Sequence, residues 1–175
     1  MKRVATIVAL NAAVLAAGSA LADSRTMDVP EVLQPPVGQT MALEFRASGV
    51  QLYECAPRPA LTGQYEWKFR GPEATLMDAG GATKGRHYGG PTWESADGSM
   101  VVGEVRSSVP SPNADAVPLL LLNAKLASGS GAFGRVRSIQ RLATAGGRAP
   151  AAACGERDAG RVARVPYTAI YRFFE

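Results

Sequence analysis

The sequence predicts a mostly β domain, built as a single antiparallel sandwich or a partly closed barrel. Short apolar or alternating stretches recur along the chain, which is the pattern of half-buried strands. Gly-Gly and Asp-Gly pairs separate several of these stretches, as expected for turns between antiparallel strands. Roughly 150 residues follow an apolar N-terminus, which is the size of one domain with one core.

The first 22 residues have the pattern of a secretory signal peptide. Lys2 and Arg3 give a basic start, residues 4–17 are almost wholly apolar, and residues 20–22 form a small-x-small cleavage pattern. This apolar run is too short to cross a bilayer of roughly 30 Å at about 1.5 Å per residue. We therefore expect cleavage near Ala22 and a secreted or periplasmic protein without a membrane span.

The segment 23–38 contains three prolines and little periodicity, so we predict that it runs extended over the surface. A single β-rich domain then occupies residues 39–175. The stretches with strand character are 40–45, 50–55, 65–69, 74–77, 100–105, 136–142 and 167–174. Asp97-Gly98 matches a two-residue hairpin turn with positive φ at both positions. Residues 143–160, rich in Ala and Gly, indicate a long loop.

Residues 117–126 allow two interpretations. Pro118 suits the first turn of a helix, and the Leu, Ala and Lys residues that follow are good helix formers. We favour one short helix packed on the sheet, with Leu119, Leu122 and Leu126 facing inward. A buried strand is the alternative.

The two cysteines, Cys55 and Cys154, predict one disulfide in an oxidising compartment. With a single histidine they fall short of the ligands of a zinc site, so we expect no metal. Without Lys2 and Arg3 the charge balance is 17 − 15 = +2, down from +4. These basic residues are scattered, which argues against nucleic-acid binding.

Residues 129–134 match the glycine spacing of a dinucleotide-binding loop. That mechanism needs a helix after the glycines, whereas residues 135–142 have strand character, so we predict a glycine-rich turn and no cofactor. Within that strand Gln140 and Arg141 point to opposite faces, so one of them can enter the interior. A surface position for Arg141 is the default expectation.

The run 85–94 is the best candidate site, because it contains the only histidine together with a tryptophan and a carboxylate. A ligand ring could stack on Trp93 or Tyr88 while His87 and Glu94 hydrogen-bond its polar groups. This predicts a binding or cell-envelope-associated module that recognises a small molecule or a glycan. The alternative is a hydrolase that uses Glu94 with His87 as an acid/base pair. A third interpretation is structural: Trp93 belongs to the core and His87 is a satisfied hydrogen-bonding group.

Several blocks of the chain, in this order, resemble a family of secreted bacterial and fungal proteins, the domain-of-unknown-function family thirty-four fifty-five. The resemblance runs from about Val37 to the C-terminus and implies secretion and one domain, without any catalytic assignment. The blocks that carry it are His87-Tyr88-Gly89-Gly90-Pro91-Thr92-Trp93-Glu94, Asp97-Gly98-Ser99, Val117-Pro118-Leu119-Leu120-Leu121, Ile139-Gln140-Arg141, Gly146-Gly147, Ala149-Pro150, Cys154 and Val165-Pro166-Tyr167-Thr168-Ala169.

Overall fold

The structure, a computed structural model, describes residues 28–59 and 61–175. The predicted signal peptide and residues 23–27 of the proline-containing segment lie outside the described residues. Eight strands follow one another in the described part of the chain. They are β1 (Met41–Pro57), β2 (Tyr65–Met77), β3 (Thr83–Tyr88), β4 (Thr92–Ser95), β5 (Met100–Val109), β6 (Leu119–Ser128), β7 (Ser138–Gly146) and β8 (Val162–Phe174).

Each strand pairs antiparallel with the next one along the chain, and β8 pairs back with β1, so the sheet closes into a barrel. The β1–β8 seam is long, running from the Met41–Phe174 pair to the Glu54–Val162 pair. Closure gives every strand two hydrogen-bonded neighbours and removes the unpaired edges of an open sheet. The predicted mostly β class is confirmed, and the barrel is the architecture present.

The helix predicted within residues 117–126 is wrong, because Leu119–Ser128 is the strand β6, paired with β5 and β7. Leu119 and Leu122 are buried, but Leu126 is 53% exposed. The strand is apolar on both sides at its start: Leu120 and Leu122 pack inside the barrel, while Leu121 packs outside it. A strand covered on both faces gives a continuous apolar run, which cannot be distinguished from a helix by periodicity.

The N-terminal segment covers the outer face of β6 and β7. Instead of running fully extended, it forms one 3-10 turn at Glu31–Leu33. The Leu33 side chain is fully buried in a cluster with Leu121 and Leu142. The amide Nε2 of Gln140, on the outer face of β7, donates a 2.6 Å hydrogen bond to the Leu33 carbonyl. This segment therefore shields apolar strand residues from water.

The turn between β4 and β5 is longer than the predicted two-residue hairpin. Gly98 has φ of 83°, but Asp97 does not have positive φ, and three residues separate the paired Ser95 and Ser99. The Asp97 carboxylate explains this arrangement, since it accepts hydrogen bonds from the Ser99 amide (2.8 Å), the Ser99 hydroxyl (2.6 Å) and the Ala132 amide (2.8 Å). A three-residue loop with glycine in the left-handed region is a common hairpin solution.

The two ends of the barrel differ in how they are filled. At one end the glycine-rich loop after β6 inserts Phe133, whose ring lies 4.7 Å from that of Phe173 and 6.1 Å from that of Phe45. At the other end the Cys55–Cys154 disulfide, with Cα atoms 6.0 Å apart, holds the loop between β7 and β8 against the end of β1. The described residues contain no helix with the length and apolar character that crossing a membrane requires.

Candidate functional site

The candidate site lies on the hairpin of β3 and β4, whose register divides it between two faces of the sheet. His87 is opposite Trp93, and Arg86 is opposite Glu94. Residues directly opposite one another in an antiparallel pair share a face, and neighbours along a strand alternate. His87 and Trp93 therefore point into the barrel, whereas Glu94 points outward with Arg86.

The outward residues form a surface cluster in which each polar group has a partner. The Arg86 guanidinium donates to both carboxylate oxygens of Glu94, at 3.0 and 2.9 Å from Nη2. The Tyr88 hydroxyl donates to Glu94 at 2.8 Å, and the Arg86 guanidinium lies 5.2 Å from the centre of the Tyr88 ring. The Tyr88 and Arg86 hydrogen bonds lower the pKa of Glu94, so this carboxylate is ionised and fully engaged at neutral pH.

The inward residues form an aromatic wall. The His87 ring is parallel to Trp93, with centroids 4.3 Å apart, and Tyr171 meets both rings edge-on. His87 Nδ1 lies 2.8 Å from the Thr92 carbonyl oxygen, so it carries the proton and donates it there. Burial lowers the pKa of His87 to about 3, against the effect of that hydrogen bond and with the help of the Arg141 charge. The imidazole is therefore neutral at physiological pH.

The structure thus brings together His87 with Trp93, and Tyr88 with Glu94, but separates these pairs by the thickness of the sheet. Glu94 and His87 do not share a pocket, and His87 is 2% exposed. Proton exchange between them through a bound substrate has no path in this arrangement. The aromatic wall, by contrast, faces an internal space.

That space is a cavity of about 380 Å³ inside the barrel. Its residues come from β1–β8 and from the connection between β3 and β4. Phe69 and Val105 are each about half exposed and mark its opening to solvent. The apolar part of the lining includes Phe69, Pro72, Pro91, Val105, Leu120 and Leu122, and the polar or aromatic part includes Gln51, His87, Trp93, Arg141 and Tyr171.

Three buried polar atoms in this lining have no hydrogen-bond partner among the described residues. They are Nε2 of Gln51, Nε1 of Trp93 and the hydroxyl of Tyr171. Burial raises the pKa of Tyr171. The Arg141 charge and the polar groups of Tyr167 and Arg141, which lie near the hydroxyl without forming a hydrogen bond of normal geometry, oppose that rise only in part, so the phenol keeps its proton. Native proteins satisfy nearly all buried polar groups, and three orphans around one cavity are unusual.

Arg141 reaches the same cavity from β7. It is opposite Leu120 on β6 and Tyr171 on β8, both of which face inward. Its Nε donates a 3.0 Å hydrogen bond to the Pro118 carbonyl. None of the salt bridges among the described residues involves Arg141. The default surface position for this arginine is therefore wrong. Gln140, its neighbour, takes the outer face.

Gln51, Arg141 and Tyr171 were not identified as site residues from the sequence. The only signal was the alternation of Gln140 and Arg141, which places one of them inside without saying which. Among the described residues, no group of three His, Cys, Asp or Glu side chains is placed to hold a metal ion.

The comparisons with known proteins identify the family but no activity. A family model described as "Protein of unknown function (DUF3455)" matches residues 36–175, which confirms the resemblance inferred from the sequence. No curated protein and no solved structure matches the chain.

Proposed function

The chain belongs to the DUF3455 family of proteins of unknown function, and from the geometry of the cavity we propose that it is an exported protein that binds a small molecule inside its barrel. The N-terminal signal pattern and the Cys55–Cys154 disulfide support export, since disulfides persist in oxidising compartments. The cavity supports binding.

The observation that carries this proposal is the set of orphaned polar atoms in the cavity lining. Each unsatisfied buried donor costs about 1–3 kcal/mol of stability. Sequences that needed only a stable barrel would replace Gln51 or Tyr171 by apolar side chains of similar size. A bound molecule that accepts these hydrogen bonds accounts for the presence of these polar side chains in the cavity.

The walls favour a small, mainly apolar molecule over a glycan. Eight-stranded barrels have interiors wide enough for one small ligand. Phe69, Leu120 and Leu122 offer apolar surface, and Trp93 is buried rather than displayed for stacking against an exposed sugar chain. The hydrolase alternative receives no comparable support, because His87 is neutral and has no acidic partner in the cavity.

The test uses the fluorescent neutral probe N-phenyl-1-naphthylamine. In a Trp67→Phe background, Trp93 is the single tryptophan and reports directly on the cavity wall. We expect the probe to bind and to quench Trp93 emission by energy transfer.

A matched pair of variants on β6 locates the bound probe. Leu120→Phe adds bulk inside the cavity, whereas Leu126→Phe makes the same change on the exposed part of the strand. We expect Leu120→Phe to weaken probe binding about tenfold or more, equivalent to about 1.4 kcal/mol, and Leu126→Phe to leave it unchanged. Absence of probe binding, or equal affinities for the two variants, would refute binding in the cavity.

A further inference from the structure

We propose that the ligand is an organic anion: an apolar body that fills the cavity and one acidic group, such as a carboxylate, that pairs with Arg141. This inference rests on the proposed function and names the class of molecule that the cavity takes. Three features of the cavity support it: the positive charge of the lining, the excess of hydrogen-bond donors over acceptors, and the apolar side chains that form the rest of the lining.

The charge of the lining is positive and uncompensated. Arg141 has no acidic partner within the described residues, although a second arginine at the cavity, Arg70, is paired with Glu54 at 2.8 Å. The titratable groups near Arg141 are the neutral His87 and the tyrosines Tyr53, Tyr167 and Tyr171. Burial raises the pKa of each tyrosine, so none of these groups supplies a negative charge at neutral pH. A buried or half-buried charge is costly without a counter-ion. A ligand acid supplies that counter-ion.

The orphaned atoms are donors. The Gln51 Nε2 and Trp93 Nε1 groups only donate, the Tyr171 hydroxyl retains a proton to donate, and the Arg141 guanidinium has no acceptor atom. An ionised carboxylate or sulfonate is purely an acceptor, with several lone pairs, so one such group can satisfy more than one of these donors. A cationic ligand would be attracted by the aromatic faces of Trp93 and Tyr171, but the Arg141 charge repels it.

The rest of the wall indicates the other half of the ligand. Leu120 and Leu122 line the cavity, and the half-exposed Val105 and Phe69 line it next to solvent. They offer no charge to a second acidic group. An inorganic anion would leave this apolar surface in contact with water, whereas the aliphatic or aromatic part of an organic anion would displace that water.

The experiment compares two probes with the same ring skeleton. N-phenyl-1-naphthylamine is neutral, and 1-anilinonaphthalene-8-sulfonate adds one sulfonate. We expect the wild type to bind the sulfonate probe at least tenfold more tightly. Arg141→Met should remove this preference while changing the affinity for the neutral probe by less than about threefold, and Arg141→Lys should retain most of it. Arg172→Met, on the outer face of β8 where Arg172 pairs with Glu44 at 2.7 Å, is the control and should leave the preference in place.

A second measurement needs no variant, so it holds even if Arg141→Met does not fold. The neutral probe is displaced from the wild type by decanoate or by decanol, which share a chain and differ in the headgroup. We expect decanoate to displace it at a concentration at least tenfold lower.

The outcomes separate the two proposals. Equal affinities for both probes with equal displacement by acid and alcohol would overturn the anionic ligand and leave the binding function intact. Failure of every probe to bind would overturn the proposed function itself. Preferential binding of the anions that Arg141→Met does not alter would refute the role of this arginine.

Discussion

Replacement of Gln51 by methionine should stabilise the unliganded protein. Gln51 is 1% exposed, and its Nε2 has no hydrogen-bond partner among the described residues. Methionine has a similar length and no amide, so the substitution removes a buried unsatisfied donor and keeps most of the packing. The unsatisfied group costs about 1–3 kcal/mol, and we expect a gain of about 1 kcal/mol after imperfect packing is subtracted.

Gln140 provides a matched control, since it is a second glutamine on a barrel strand and is 2% exposed. Its Nε2 donates to the carbonyl of the buried Leu33 at 2.6 Å. Gln140→Met removes that donor and leaves the carbonyl unpaired, so we expect a loss of about 1–3 kcal/mol. Two equally buried glutamines should therefore respond to one substitution with opposite signs.

Thermal and urea unfolding of the oxidised protein measure both effects. For a domain of this size, 1 kcal/mol corresponds to about 2–4 °C in Tm. Gln51→Met should melt higher than the wild type and Gln140→Met lower, and Gln51→Met should also bind the sulfonate probe more weakly. If Gln51→Met is destabilised by 1 kcal/mol or more, the amide is satisfied within the fold, and its retention gives no argument for a ligand.

Three further predictions concern pH and the disulfide. His87 is the only histidine, and burial lowers its pKa to about 3, so below about pH 6.5 the unfolded chain binds a proton that the native protein does not. The free energy of unfolding should therefore fall by about 1.4 kcal/mol per pH unit as the pH decreases below about 6.5. Urea titrations should find this slope missing in His87→Phe. The hydrogen bonds from Ser99 and Ala132 lower the pKa of Asp97 to about 2, so the stability that this carboxylate contributes is present above about pH 4 and is lost toward pH 2. The difference in free energy of unfolding between the wild type and Asp97→Asn should shrink over that range. A constant difference would contradict this reasoning. The double variant Cys55→Ser, Cys154→Ser opens a loop with a sequence separation of 99 and should lose up to about 4.7 kcal/mol in urea unfolding, whereas a loss below 1 kcal/mol would show that the loop is held by other contacts.

Strand content and turn positions could be predicted from the sequence because they depend on local patterns. Most of the predicted strands coincide with parts of β1, β2, β5, β7 and β8. The error at β6 has a physical cause outside the segment: Leu33, from the N-terminal segment, buries the outer face of the strand. Period-two alternation disappears when both faces are apolar, and the residue that covers the second face is distant in sequence.

The candidate site shows the same division between local and distant information. The rare residue types around His87 and Trp93 directed attention to the segment that forms β3 and β4, but did not indicate which of them face a common space. The register decides that, because it places Glu94 opposite Arg86 and His87 opposite Trp93. Gln51 lies on β1, with β2 between it and this hairpin, and Arg141 and Tyr171 lie on β7 and β8, so the pairing of distant strands brings these residues to one cavity.

The asymmetry of the interior bears on where function can lie. Phe45, Phe133 and Phe173 fill one half of the barrel with aromatic packing. The other half contains Arg141, which has no acidic partner among the described residues, and buried donors that lack an acceptor in the same part of the chain, around a cavity open to solvent. Aromatic packing in the first half stabilises the fold and can offset the cost of unsatisfied polar groups in the second half. Such costs are common at ligand-binding sites. A substitution that removes an unsatisfied donor from the cavity should therefore raise the free energy of unfolding and weaken ligand binding. In Gln51→Met, the change in stability and the change in probe affinity can both be measured on one variant.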